Sequence, residues 1–239
     1  MFLSILVPGP NNPKAKVDVF LQPLIDELNH LWAYGVQTYD TYKKQNFQMR
    51  AVLMWTINDF PAYSMLSGWR TMGKKACPYC GEDSDAFSLP VSGKQSWFDN
   101  HRKFLPLDHP YRRSRYRFKK GETVTKQFRG VRSGDEILEE LNQYGLKKVT
   151  EVDAERINGY ISKNCSWYKR SIFWDLPYWS KLLIRYNLDV MHIAKNVFDN
   201  VFNTVLNVPE RTKDTTKSRQ ELQDICRRPK YIMDNETGK

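Results

Sequence analysis

The chain has 239 residues, 41% hydrophobic and 13% aromatic, with 37 Lys and Arg against 27 Asp and Glu for a net charge of +10. That length holds one large domain or two small ones, and that apolar content excludes disorder over most of it. No apolar run approaches the roughly 20 residues of a membrane span, and "MFLSILVPGP" has neither the apolar length nor the basic flank of an export signal.

Residues 2–7, "FLSILV", are a continuous apolar run stopped by "PGPNNP", which predicts an internal strand ending in a loop. In "VDVFLQPLIDELNHLW" the positions Phe20, Leu21, Leu24, Ile25, Leu28, Leu31 and Trp32 follow helical spacing. Pro23 suits the start of the main helix, with Gln22 or Asp18 near its cap. Residues 47–57, "FQMRAVLMWTI", predict a second strand with Asn58 and Asp59 at its end, and "FPAYSMLSGW" predicts a turn into a short helix. The order strand, helix, strand, short helix indicates an α/β layer with a largely parallel sheet.

Regularity is lost from about Lys74 to Arg132, where a cysteine pair, prolines and glycines gather. Eleven Lys and Arg face only two acids between residues 101 and 133, so nearly all of the excess charge sits there. This segment reads as an insertion with little sheet of its own. "SGDEILEELNQYG" restarts order, with Ser133 as N-cap, acids in the first turn and Gly145 as the stop. An aromatic-rich stretch, "CSWYKRSIFWDLPYWSKLLIRYN", leads to "LDVMHIAKNVFDNVFNTVL", whose Ile193, Val197, Val201 and Val205 step by four along a helix. A polar tail from Pro209 contains one more helical pattern, "SRQELQDICRR". The resulting organisation is 1–73, 74–132, 133–208 and 209–239.

Four constellations carry chemistry. Asp59, at the carboxyl end of a strand, stands where ligands gather in parallel α/β sheets and could hold Mg²⁺; it equally suits a helix N-cap. Cys77 and Cys80 in "CPYC" can take two corners of a zinc tetrahedron, completed by His101 and His109, or act as a redox pair. Cys165 and Cys226 read as ordinary thiols. "HPYRRSRYRFKK" interleaves arginines with aromatics, so Arg102, Lys103, Arg112, Arg113, Arg115, Arg117, Lys119 and Lys120 can clamp phosphates while rings stack on bases. The alternative there is a solvated loop. Asp189 and His192 head the late helix, either as cap and ordinary histidine or as half of a metal site.

Together, "RAVLMWTINDFPAYSMLSGW", "KKACPYC", "HRKFLPLDHPYR" and "NLDVMHIAKNVFDNVFNTVLN" resemble the transposases of plant CACTA-type (En/Spm-like) DNA transposons, in the same order and over nearly the whole chain. The resemblance implies an RNase H-like α/β fold, a mixed sheet with flanking helices, incomplete at its N-terminus and carrying the Cys-containing basic insertion. It implies DDE chemistry, in which three carboxylates hold Mg²⁺ or Mn²⁺ for attack on a DNA phosphodiester. Asp59 matches the second acid of the triad. Asp189 and His192 match a "DxxH" element leading into the helix of the third acid. Relatives are expected to read "MHIEKN"; this chain reads "MHIAKN", with Ala194 in the glutamate position. The first acid is expected on a strand upstream of residues 2–7. A transposase fragment without catalysis of its own is therefore expected, nuclear, bound to DNA and to other transposase subunits, with a structural Zn²⁺ and no small-molecule substrate. The alternatives are a non-catalytic zinc- and nucleic-acid-binding module, and an unrelated metal hydrolase built on Asp59, Asp189 and His192.

Overall fold

The computed structural model describes residues 5–118, 121–150 and 166–225. In chain order these form α1 (Val17–Ala33), β1 (Val36–Asp40), β2 (Gln45–Met49), β3 (Thr56–Asn58), α2 (Phe60–Ser67), β4 (Phe87–Ser88), β5 (Gln95–Ser96), α3 (Pro110–Arg113), α4 (Gly134–Gln143), β6 (Tyr186–Leu188), α5 (Val190–Val205) and α6 (Thr216–Ile225). The chain divides into two compact units, Met1–Thr71 with Arg132–Asp189, and Met72–Val131 with Val190–Lys239.

The mixed α/β character expected from the sequence is present. The largely parallel sheet is not. Among the described residues the strands make three separate two-stranded ladders, and only β3–β6 is parallel. Residues 5–7 form no strand, and the rest of the "FLSILV" run lies outside the described residues. The expected strand over 47–57 is two strands with a break between them. Its first part, β2, pairs antiparallel with β1 in register from Val36↔Met49 to Asp40↔Gln45. Asp40 sets this hairpin: its Oδ1 accepts from the amides of Tyr42 (2.9 Å) and Lys43 (3.1 Å), closing the turn without help from apolar burial. Gly35 feeds the hairpin at φ 72°, and a Cβ there would lie 2.6 Å from the Met49 carbonyl oxygen. Between β2 and β3 the backbone leaves the ladder, and the Leu53 amide donates to the Tyr178 hydroxyl at 3.1 Å.

α1 begins at Val17, six residues before Pro23, which lies inside the helix. Pro23 has no N–H for the Val19 carbonyl, so the first turns need support from elsewhere. Asp18 provides it. Its side chain is buried in the first turn and accepts from Lys169 Nζ at 2.7 Å, with both side chains fully inaccessible. Burial pushes the Asp18 carboxyl up and the Lys169 ammonium down, each against the pull of the other charge.

The aromatic-rich stretch supplies the core of the first unit. Ile172, Phe173, Trp174, Leu176, Tyr178 and Trp179 are buried with Ile25, Trp69, Leu141, Leu146 and Trp167. Two short 3-10 helices, Ile172–Asp175 and Trp179–Lys181, turn these side chains to one side. Phe173 stacks on Trp179 at 5.0 Å, and Trp179 meets Tyr186 of β6 edge-on at 5.4 Å. The core therefore lies directly under the parallel pair. α4 starts at the expected N-cap, Ser133, which also forms a capping box: the Glu136 amide donates to Ser133 Oγ, and the Ser133 amide donates to Glu136 Oε2. Gly145 ends it at φ 63°.

In the second unit the described residues of the insertion form the two-residue strands β4 and β5, two 3-10 helices at Gly81–Asp83 and Phe98–Phe104, and the single turn α3. α5 and α6 fall on the two helical patterns of the C-terminal third. No helix among the described residues is long and apolar enough to cross a membrane.

Candidate functional site

The parallel pair places two of the sequence-predicted acids side by side. β3 and β6 run in register, Thr56↔Tyr186, Ile57↔Asn187 and Asn58↔Leu188. Asp59 and Asp189 are the next residues on the two strands. The ladder continues into this position, since the Asp189 amide donates to the Asn58 carbonyl at 2.7 Å. Two carboxylates thus follow matched positions at the carboxyl ends of adjacent parallel strands, 130 residues apart in sequence. Asn58 holds the strand ends together. It is buried, and its Nδ2 donates to Thr56 Oγ1 at 2.8 Å and the Asn187 carbonyl at 3.4 Å. Periodicity gave no hint of that role; the one sequence signal is its place immediately before Asp59.

Of the two readings of Asp59, the helix cap is the one this geometry shows. Asp59 is the N-cap of α2, with Oδ1 accepting from the Ala62 amide at 2.8 Å and Pro61 in the first turn. A carboxylate has more acceptor sites than one amide uses, so capping and ligation are compatible. α2 ends at Gly68, φ 82°, where a Cβ would lie 2.3 Å from the Lys169 carbonyl oxygen. This close approach ties the helix behind Asp59 to the buried Lys169 segment. His192 and Ala194 lie in α5, in the second unit. Among the described residues no three His, Cys, Asp or Glu side chains form a set able to hold a metal ion.

The cysteine pair forms a compact turn leading into the 3-10 helix Gly81–Asp83. The Cys80 amide donates to Cys77 Sγ at 3.4 Å, and the Gly81 amide to the Cys77 carbonyl at 2.9 Å. The hydrogen bond from the Cys80 side chain holds the Cys77 thiol down to about 6, against the effect of burial. The same sharing pushes Cys80 far up, so the anion resides on Cys77. His101 packs its ring against Phe104 at 5.6 Å, and burial and the Lys103 ammonium hold its imidazole below the usual value. His109 caps α3, with Nδ1 accepting from the Tyr111 amide at 3.1 Å. The two thiols suit zinc, but the four expected ligands Cys77, Cys80, His101 and His109 are not brought together as one set. Cys165 and Cys226 lie outside the described residues.

The basic run divides in two. Arg102, Lys103 and Arg112 are buried, 4%, 3% and 2% exposed, which removes them from any surface that could meet phosphate. Arg102 donates to the carbonyls of Asp99, Tyr111, Ser114 and Glu122, and its guanidinium lies 4.1 Å from the centre of the Phe118 ring. Arg112 donates to the carbonyls of Arg102, Lys103, Leu105, Thr125 and Lys126 at 2.7–3.3 Å. Lys103 reaches the Asp83 carbonyl and Asp85 Oδ2. These three side chains satisfy backbone groups that a segment with almost no ladder leaves open. At Arg102 and Arg112 the guanidinium serves carbonyls, since a planar five-donor fork clamps them as well as it clamps phosphate. Arg113, Arg115 and Arg117 are exposed, alongside exposed Tyr111 and Tyr116. Lys119 and Lys120 lie outside the described residues.

No curated protein and no solved structure is significantly similar to this chain. A family model described as "Transposase family tnp2" matches residues 1–144, from the start of the chain through α4 and so over Asp59, the cysteine turn and the whole basic run. By that match, which spans more than half of its length, the chain belongs to a family of transposases.

Proposed function

We propose that this chain carries part of an RNase H-like DNA transposase of the CACTA type, with Asp59 and Asp189 as a carboxylate corner for Mg²⁺ or Mn²⁺. The observation that carries the reading is the register of β3 and β6, which sets these two acids at matched positions. Two carboxylates at strand ends suit a hard divalent cation. Such an ion, when bound, activates water or a 3′-hydroxyl for attack on a phosphodiester. The α2 cap holds the Asp59 carboxylate, and Asn58 ties the two strand ends together. Position 194 offers no oxygen ligand, because alanine has none. The reading therefore assigns the chain DNA binding, through Arg113, Arg115 and Arg117, without strand cleavage, and places it in the nucleus with its DNA.

The test separates cap from ligand. Asn retains the capping oxygen but not the charge, so Asp59→Asn keeps α2 intact, whereas Asp59→Ala costs about 1 kcal/mol of stability. Mn²⁺ binding, followed by electron paramagnetic resonance, is expected to be weak in the parent and lost in Asp59→Asn and Asp189→Asn. Unchanged binding in both variants sinks the carboxylate corner. Mn²⁺-dependent plasmid nicking that disappears in Asp59→Asn overturns the assignment of lost cleavage while keeping the corner.

A further inference from the structure

Neither Cys77 nor Cys80 takes part in the carboxylate corner or among the exposed arginines, yet the turn that carries them is built asymmetrically. It is one helical turn, closed by the Gly81 amide on the Cys77 carbonyl at 2.9 Å. Side chains three apart on such a turn share one side of it. Cys77 and Cys80 stand there as free thiols, with the Cys80 thiol donating to Cys77 Sγ. The Cys80 amide brings a second donor to the same sulfur at 3.4 Å. Two donors on one sulfur favour its thiolate. The Lys103 ammonium, held by the Asp83 carbonyl (2.5 Å) and Asp85 Oδ2 (3.0 Å), adds positive charge to the surroundings. Access is unequal too: Cys80 is 6% exposed, whereas Cys77 is half-buried and open to a small reagent. Among the described residues no third metal-binding side chain joins the pair.

We propose that Cys77 and Cys80 form a thiol–disulfide exchange site for low-molecular-weight disulfides, with Cys77 as the attacking sulfur and Cys80 as the resolving one. The proposal stands apart from the DNA-binding reading and does not need it. The Cys77 thiolate attacks one sulfur of the small disulfide, forms a mixed disulfide with that half and expels the other half as a thiolate. The Cys80 thiol gives up its proton to the expelled thiolate and attacks Cys77 Sγ. The Cys77–Cys80 disulfide forms, and the second half leaves as a thiolate that takes a proton from water. The small disulfide is reduced to two thiols, and the cysteine pair is oxidised. Burial keeps Cys80 from meeting the small disulfide first, and its place on the same turn makes the second step intramolecular.

Glutathione disulfide is the probe, added to the reduced full chain with and without a chelator, quenched in acid at intervals and read by peptide mass spectrometry. The tryptic peptide 76–94 holds both sulfurs and no other cysteine. In the parent this peptide is expected to pass through a glutathione adduct on Cys77 and close to the internal disulfide. Cys80→Ser is expected to stop at the Cys77 adduct, and Cys77→Ser to react roughly tenfold more slowly than the parent. In urea, where the turn is lost, the two sulfurs of the parent are expected to take glutathione about equally. Adducts shared equally between Cys77 and Cys80 in the native parent, or a preference for Cys77 that persists in urea, overturn the assignment of roles. An adduct that never closes to the internal disulfide overturns the exchange site. Reaction only in the presence of chelator also overturns it, and makes the pair a metal knuckle.

Discussion

Replacing Arg112 by alanine tests the division of the basic run into buried clamps and exposed arginines. Arg112 makes five hydrogen bonds to carbonyl oxygens of residues 102–105 and 125–126 while only 2% exposed. A buried carbonyl left without a donor costs about 1–3 kcal/mol. If relaxation and water rescue all but two of the five, the loss is still about 3 kcal/mol, and at about 1.4 kcal/mol per decade the local opening equilibrium rises roughly a hundredfold. Hydrogen–deuterium exchange read by mass spectrometry reports that opening directly, since the Val124 amide donates to the Arg112 carbonyl at 2.9 Å. In Arg112→Ala, exchange over 121–128 should accelerate by about that factor. In Arg113→Ala, one residue on and exposed, stability should stay within about 0.5 kcal/mol of the parent. Lysine at 112 should rescue little, because one ammonium cannot span five carbonyls. Unchanged protection over 121–128 in Arg112→Ala would refute the clamp.

Three further outcomes are expected. Removing Arg113, Arg115 and Arg117 together should lower the slope of log affinity against log salt for duplex DNA by up to about 0.9 for each phosphate no longer neutralised, with folding intact; a slope equal to the parent's assigns DNA binding elsewhere. In metal-free protein, alkylation of Cys77 should be half-maximal near the lowered value of about 6, with the thiolate dominant above it and the inert thiol below it. Cys80→Ser weakens the hydrogen bond that holds the anion and should move the midpoint up; a midpoint at the ordinary thiol value in the parent contradicts the geometry. Lys169→Met strands the Asp18 carboxyl in the core and should cost about 3–5 kcal/mol by urea denaturation, with part recovered in Asp18→Asn/Lys169→Met. Full additivity of the two single changes would show that the pair is not coupled.

Local chemistry was legible in the sequence wherever one residue type has one local use. Ser133 with Glu136, Gly145, Asp59 before Phe60-Pro61 and the i,i+4 valines of α5 act on the backbone within a turn of themselves, so their positions followed from spacing. The strand over 47–57 misled because apolarity does not fix pairing: the turn at Asp40 decides what β2 pairs with, and before β3 Leu53 packs on the core with its amide on the Tyr178 hydroxyl, while Val52, Met54 and Trp55 stay exposed. Pro23 misled because the anchor of α1 is Lys169, 151 residues away.

By itself the sequence determined the composition of the molecule: a mixed α/β chain, a basic Cys-bearing insertion, two acids beside predicted element ends and an alanine at 194. Only the tertiary structure decided which of those residues act together. Charge alone could not separate Arg112 from Arg113, because a guanidinium serves a carbonyl and a phosphate with the same donors; burial separates them. Nor could spacing pair Asp59 with Asp189, since the register of two short parallel strands is set by long-range pairing, and that register puts the two residues at matched strand ends.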